Sequence, residues 1–353
     1  MNQPPARVQE LRFVALPSGA RLAWTRTGRP AAPVLVRVAH WMTHIEHDAV
    51  SPLWSPWIER IGRRLQFVRY DERGCGRSGS DDVPLGLETS VEELAAVVDA
   101  LGPAPVALLG ASGAAATAIA YAARYPTRVS KLVLLGGYAV GTLAASPSAE
   151  TRSYFDAVQQ LIRLGWGRND PGVQAYFSSR FLPQASRAEL DALVEQQRLS
   201  CSGERAAAIS LARAHLDVRA LLPQLKVPTL VLHSDGDLAV PHSSGLALAA
   251  AIPGARFETL RSSNHLPPAS DPAFGRLADA IDEFIQPAQR LPQLTTREGE
   301  LAALVARGLD NQQIAAHMGL AEKTVRNMLG GLYTKLGAES RAMAVVRARD
   351  LGL

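Results

Sequence analysis

The first residue equipped for covalent chemistry is a serine on a sharp bend. Val106 to Leu109 is an apolar run that reads as a buried strand; it stops at Gly110, and small residues restart as a helix at Ala114, leaving Ser112 on the turn. A turn of that kind points the hydroxyl away from the sheet, and small residues at 110, 113 and 114 let strand and helix approach closely. The helix that follows aims the Gly113 N–H and the positive end of its dipole at any oxyanion formed there. The pattern is G-x-S-x-G with Ala114 in the last place, and alone it also fits an ordinary tight turn. A serine hydroxyl is a poor nucleophile at neutral pH, so it needs an imidazole to take its proton and a carboxylate to hold that imidazole. Asp235 and Asp237 follow an apolar run at 228–233, and His265 follows a second run at 256–260.

Two other groups of reactive residues point elsewhere. His40, His44, Glu46, His47 and Asp48 crowd one loop and invite a metal reading, but no second cluster completes a ligand set, so a polar pocket rim is expected and no metal or other cofactor. Cys75 and Cys201 are far apart in sequence and lack metal-like spacing, which excludes a disulfide framework and suits a reducing, cytoplasmic setting. The 353 residues carry 37 Lys and Arg against 33 Asp and Glu, and a net charge of +4 gives no strong general affinity for polyanions. Neither an apolar leader nor a run of about 18 apolar residues occurs, so no membrane association is expected.

The elements that must position these residues alternate. Residues 11–26 read as a hairpin about a Ser18-Gly19 turn, 34–38 and 65–70 as strands, and 90–101 as a helix with Ser90 and Glu93 as its capping box. After the serine turn come strands at 129–135, 228–233 and 256–260 and a last helix near 274–284. Strands and helices in alternation predict an α/β fold, a mostly parallel sheet covered on both faces. Between about 139 and 222 the pattern turns wholly helical, with Tyr154, Phe155, Trp166, Tyr176, Phe177 and Phe181, and reads as an inserted cap. The Pro-containing stretch 287–293 reads as a linker, separating a domain at 1–286 from an all-helical one at 294–353.

The stretch from about 10 to 286 resembles the α/β-hydrolase family. The resemblance rests on the Asp71-x-Arg73-Gly74-x-Gly76-x-Ser78 turn, the bend at Ser112, the strand-plus-acid segment 230–241 and the strand-plus-histidine segment ending at His265, in the family's chain order. It implies a triad of Ser112, His265 and Asp237, the last preferred over Asp235 because Leu238 to Pro241 follows it, as in the family. Asp235, before Gly236, suits a turn. The resemblance also implies an oxyanion hole from the N–H groups of Gly113 and Trp41, with Met42 as second choice. Relatives often carry His-Gly where this chain has His40-Trp41. A serine at the bend implies acyl transfer to water from a small ester, lactone or thioester, the apolar cap favouring a small acyl or aromatic group.

The tail carries a capping box at Thr295 and Glu298, a terminating Gly308, and helical patterns at 294–309, 310–319, 322–336 and 340–351. It resembles the LuxR-type helix-turn-helix domain, through Leu294-Thr-x-Arg-Glu298, Gly308, Asn311, Ile314-Ala315, Lys323 to Asn327 and Lys335-Leu336. That implies that 322–336 enters the major groove of double-stranded DNA with Lys323, Thr324, Asn327 and Lys335 at bases or phosphates and Arg326 at the flank, and that the fourth helix forms a homodimer. Gly330 and Gly331 inside the reading helix cost up to about 1 kcal/mol each. Eight Lys and Arg against six Asp and Glu from 294 leave only +2, so modest affinity is expected. The whole reads as a one-component transcriptional regulator whose hydrolase domain binds and hydrolyses a small acyl compound. Two alternatives stay open: an esterase whose tail only dimerises, and a ligand sensor without turnover.

Overall fold

Alternating side chains about the Gly19 turn make the first two strands an antiparallel hairpin, β1 (Arg12–Ala15) with β2 (Arg21–Thr27). The computed structural model describes residues 10–40, 42–168, 170–286, 294–336 and 338–350, in two units divided after Ile285. The strands β3 (Val34–Arg37), β4 (Gln66–Tyr70), β5 (Val106–Ala111), β6 (Val129–Leu135), β7 (Thr229–Ser234) and β8 (Arg256–Leu260) extend the hairpin into an eight-stranded sheet of order β1-β2-β4-β3-β5-β6-β7-β8. All pairings from β4 to β8 are parallel. Every residue of β4, β5 and β7 is buried, as a sheet covered on both faces requires.

The period of two along each strand divides the core. Leu108, Leu132 and Leu134 face helices Leu87–Ala100, Ala114–Arg124 and His242–Ala251, while Leu109, Val133 and Leu135 face Ser55–Gly62 and Ala273–Ile285. The strand order reverses at β3, with β4 on one side and β5 on the other. A crevice opens at the carboxyl ends of strands where such a reversal falls. One sequence expectation is overturned: the helix starts at Leu87 after Gly86 and has no side-chain cap, so Ser90 lies inside it. Glu93 is not a capping residue because its carboxylate is taken by Arg73, which it meets through Nε at 3.2 Å.

The segment between β6 and β7 is a cap of helices Ala149–Gly165, Pro171–Phe181, Arg187–Ser200 and Gly203–Ala214. Each begins at a side-chain cap, Ser148, Asp170, Ser186 and Ser202 in turn, which satisfies N–H groups a helix start leaves open. Ile162, Trp166, Phe177, Ala206 and Ala207 form the cap's own core.

The second unit contains helices Thr296–Ala306, Asn311–Met318, Glu322–Leu336 and Arg341–Asp350. Capping boxes at Thr295/Glu298 and Asp310/Gln313 start the first two, and Gly319 ends the second in the left-handed conformation. Leu301, Val305, Ile314, Val325, Leu329, Leu332 and Ala344 form its core. Among the described residues no helix is long and apolar enough to cross a membrane.

Candidate active site and DNA-reading helix

Ser112 follows the last residue of β5 and holds φ at +52°, in the left-handed region that a non-glycine residue enters only under surrounding constraint. Its N–H bonds the Leu135 carbonyl at 2.9 Å, which fixes the bend to β6. The helix Ala114–Arg124 then packs so close that a Cβ at Gly110 would stand 2.9 Å from Ala115 Cα and Ala118 Cβ. Small residues at these positions are what the turn needs.

His265 and Asp237 come from the ends of β8 and β7. Their contact, His265 Nδ1 to Asp237 Oδ2, is 2.6 Å and buried. Gly136, at φ +56°, leaves room for the ring, since a Cβ there would lie 2.9 Å from His265 Cε1. The His265 N–H donates to the Phe181 carbonyl at 2.9 Å and the two rings meet edge to face at 5.7 Å, so the cap holds the histidine from above. Asp237 Oδ1 accepts the N–H groups of Ala239 at 2.8 Å and Val240 at 3.0 Å. Burial alone would raise the Asp237 carboxyl, but hydrogen bonds from His233 and His265, with the His265 charge and the Val240 N–H, outweigh it and hold the group well below the usual carboxylate range. His233 Nε2 lies 3.0 Å from the Val240 carbonyl and 3.4 Å from Asp237 Oδ2, so its proton sits on Nε2. Sequence reasoning missed His233; a histidine at the end of an apolar strand, four residues before the acid, was the available signal. Asp235 stays apart from the histidine and accepts the Ser262 N–H at 3.1 Å, a turn role.

Ser112, Gly113 and His265 open into one cavity of about 400 Å³. His265 Nε2 is buried there with no hydrogen-bond partner among the described residues, Ser112 included. Tyr154, Phe155, Tyr176, Phe177 and Phe181 of the cap line the cavity, whereas Trp166 belongs to the cap core. Arg213 enters from the cap: its stem crosses Gly113, with Cδ 2.9 Å from where a Cβ would stand, and its Nη2 holds both Glu72 oxygens at 2.9 and 3.2 Å. Periodicity could not reveal Arg213, Tyr138 or Arg180 as lining residues, because the cap helices carrying Arg213 and Arg180 and the loop carrying Tyr138 are positioned only by the tertiary fold.

The loop after β3 lacks glycine and is held by charge. Arg37 and Arg69 are cross-strand neighbours, and Asp48 Oδ2 lies between them at 2.5 and 3.4 Å. Asp71 accepts the Ile45 N–H at 3.0 Å and the Arg77 N–H at 2.9 Å. Gln196 of the cap donates to the Met42 carbonyl at 2.5 Å and to Asp48 at 3.0 Å. Trp41, the expected second oxyanion donor, lies outside the described residues. The Met42 N–H faces His40 Nδ1 at 3.4 Å. Burial, then the charges of Arg37, Arg213 and His265, pushes the His40 imidazole well below its ordinary range, so it stays neutral beside His265. Among the described residues no three His, Cys, Asp or Glu side chains could share a metal ion; Glu46 pairs with Arg77, and His44 Nδ1 accepts the His47 N–H at 3.2 Å.

In the second unit, Lys323, Thr324, Arg326 and Asn327 are exposed on one turn of the helix Glu322–Leu336 while Val325 and Leu332 are buried. Arg326 pairs with Glu322 at 3.2 Å. Lys335 is turned to the first helix, where its Nζ meets Glu298 at 2.7 Å.

A parallel sheet with a strained serine after β5, an acid after β7 and a histidine after β8 is the arrangement of one family, and the chain belongs to it: residues 48–272 match the family model described as alpha/beta hydrolase fold. Residues 292–348 match bacterial regulatory proteins of the luxR family, so a LuxR-type DNA-binding domain follows the hydrolase domain. A curated relative, "Putative carbamate hydrolase RutD" of Caulobacter segnis, is 28% identical over 233 residues, 63% of this chain and 82% of that protein. The enol-lactonase from Burkholderia xenovorans LB400 shares the fold at TM-score 0.58 and 23% identity, over 78% of this chain and 99% of its own. A hydrolase from Pseudomonas aeruginosa PA01 does so at TM-score 0.64 and 24% identity, over 78% and 98%.

Proposed function

We propose that the protein is a one-component transcriptional regulator whose hydrolase domain binds and hydrolyses a small ester, lactone or thioester through Ser112, His265 and Asp237. The observation that carries this reading is the 2.6 Å His265–Asp237 contact, facing a cavity shared with a strained serine, in a chain that ends in a LuxR-type domain. In this reading Ser112 Oγ attacks the acyl carbonyl as His265 Nε2 takes its proton, and Asp237 stabilises the imidazolium. The Gly113 N–H, at the start of the helix Ala114–Arg124, meets the oxyanion. His265 returns the proton to the leaving group, and water activated by the same ring clears the acyl-enzyme. The volume suits a small ligand, since such pockets run from about 300 Å³ upward. Lys323, Thr324, Arg326 and Asn327 would read DNA, and Lys335 would reach a phosphate only by leaving Glu298.

The unpartnered Nε2 of His265 favours a second reading, a receptor that holds ligand without turnover. Ligand-free hydrolases often tighten this contact only when substrate binds, which keeps turnover the preferred reading. Footprinting of the full chain on its upstream DNA, with and without hydrolysable esters, tests the whole: a protected site whose affinity shifts with ester supports it. No preferred site under either condition would leave a hydrolase with a helical tail.

A further inference from the structure

Two thiols outside the triad meet where the cap joins the sheet. Cys75 is buried in the turn after β4, and Cys201 is half-buried at the end of the cap helix Arg187–Ser200. They are distant in sequence, yet the Gly76 N–H donates to the Ser200 carbonyl at 2.7 Å. No described peptide bond is cis. In a trans peptide the N–H lies on the side of the preceding Cα and the C=O on the side of the following Cα. The Cα atoms of Cys75 and Cys201 therefore both flank that bond, within the roughly 7 Å over which a disulfide closes without backbone movement.

The environment also distinguishes the two sulfurs. Contact with the Cys201 thiol, then burial and the charge of Glu72, whose Oε1 lies 4.0 Å from the sulfur, push Cys75 well up. The same contact lowers Cys201 against the effect of burial, helped by the Ser200 hydroxyl at 3.9 Å and the Arg205 charge. Arg205 is fixed at this turn, donating to the Arg73 carbonyl.

We propose that Cys75 and Cys201 form a redox-modification site, a reversible intramolecular disulfide that closes under peroxide and clamps the cap to the sheet. The Cys201 thiolate attacks the peroxide O–O bond and becomes a sulfenic acid, and the departing hydroxide takes a proton and leaves as water. The Cys75 sulfur then displaces the sulfenic hydroxyl, which departs with the Cys75 proton as a second water. Two electrons pass from the thiol pair to the peroxide, and a dithiol reductant reverses the change. The bond would join the junction of helices Arg187–Ser200 and Gly203–Ala214 to the turn carrying Glu72, the partner of Arg213 at the cavity.

The test is a non-reducing peptide map of the full chain after hydrogen peroxide and alkylation. The expected result is one cross-linked pair of peptides holding Cys75 and Cys201, both thiols lost to alkylation, and recovery of both with dithiothreitol. Cys75→Ser and Cys201→Ser should each abolish the cross-link. The proposal is overturned if folded wild-type protein, checked by its melting curve, keeps both thiols alkylatable, stops at an oxidised Cys201, or links chain to chain. None of these outcomes depends on whether Ser112 is catalytic.

Discussion

Asp237→Asn removes one charge at nearly constant volume, and the structure dictates which way the new amide must face. Two N–H groups, of Ala239 and Val240, point at Oδ1 from 2.8 and 3.0 Å, so the amide oxygen takes that place. The amide nitrogen then stands where Oδ2 meets His265 Nδ1 at 2.6 Å. An NH2 group there can only donate, so the ring proton moves to Nε2, the nitrogen that faces the cavity. A ring protonated at Nε2 does not accept the serine proton, and a wrong tautomer of this kind costs about 10⁴-fold in kcat, or about 5.5 kcal/mol. Folding should suffer less, by about 2 kcal/mol, for one charge-assisted hydrogen bond. His233 keeps its Val240 carbonyl at 3.0 Å in either case. The assay is the initial rate on a short-chain p-nitrophenyl ester, with a melting curve on the same sample. A folded variant within tenfold of the wild-type rate would refute the assignment of Asp237.

Arg213→Gln should lower the ratio of kcat/KM for a dicarboxylic hemi-ester over its neutral analogue by about tenfold or more, the worth of a charged hydrogen bond, because Arg213 lines the cavity with its stem against Gly113. The ratio cancels general damage to the fold, and an unchanged ratio contradicts an anion-binding role. Burial, opposed by the Arg77 N–H, holds the Asp71 carboxyl at about 7 instead of 3.8. The folded protein therefore keeps a proton that the unfolded chain has lost between those values, so this group's contribution to stability is full below about 3.8 and falls as pH rises through about 7. The melting temperature of wild type minus that of Asp71→Asn should accordingly fall from pH 5 to pH 8, and a difference independent of pH would show the carboxyl to be ordinary. A Cβ added at Gly330 meets nothing within 4 Å. Gly330→Ala should therefore slow amide exchange in the helix Glu322–Leu336 by about 2- to 5-fold, as gains of 0.5–1 kcal/mol imply. Unchanged or faster exchange would mean that this glycine is needed for its backbone.

Much of the fold was legible because its signals are local. Apolar runs ending in Gly110 or before Asp235 marked the parallel strands, and Thr295 with Glu298 marked a helix start that the structure keeps as a capping box. Ser90 with Glu93 gave the same local signal, but there a long-range partner, Arg73, claims the acid. Ser112, Asp237 and His265 could be put forward together because each follows an apolar run, in the chain order of the family that the sequence resembles. The polar groups that shape the surroundings could not: Arg37, Asp48, Arg69 and Gln196 meet only through the assembled sheet and the cap. Cys75 and Cys201 illustrate the same limit, since spacing along the chain says nothing of a seam that brings two turns together.

Labelling of the intact chain with a fluorophosphonate tests the central claim most directly, since the reagent reports an activated serine whatever the natural ligand. The predicted result is a single adduct on Ser112, absent in Ser112→Ala and formed far more slowly in His265→Ala. Folded wild-type protein that stays unlabelled, or carries the adduct elsewhere, would contradict a catalytic Ser112.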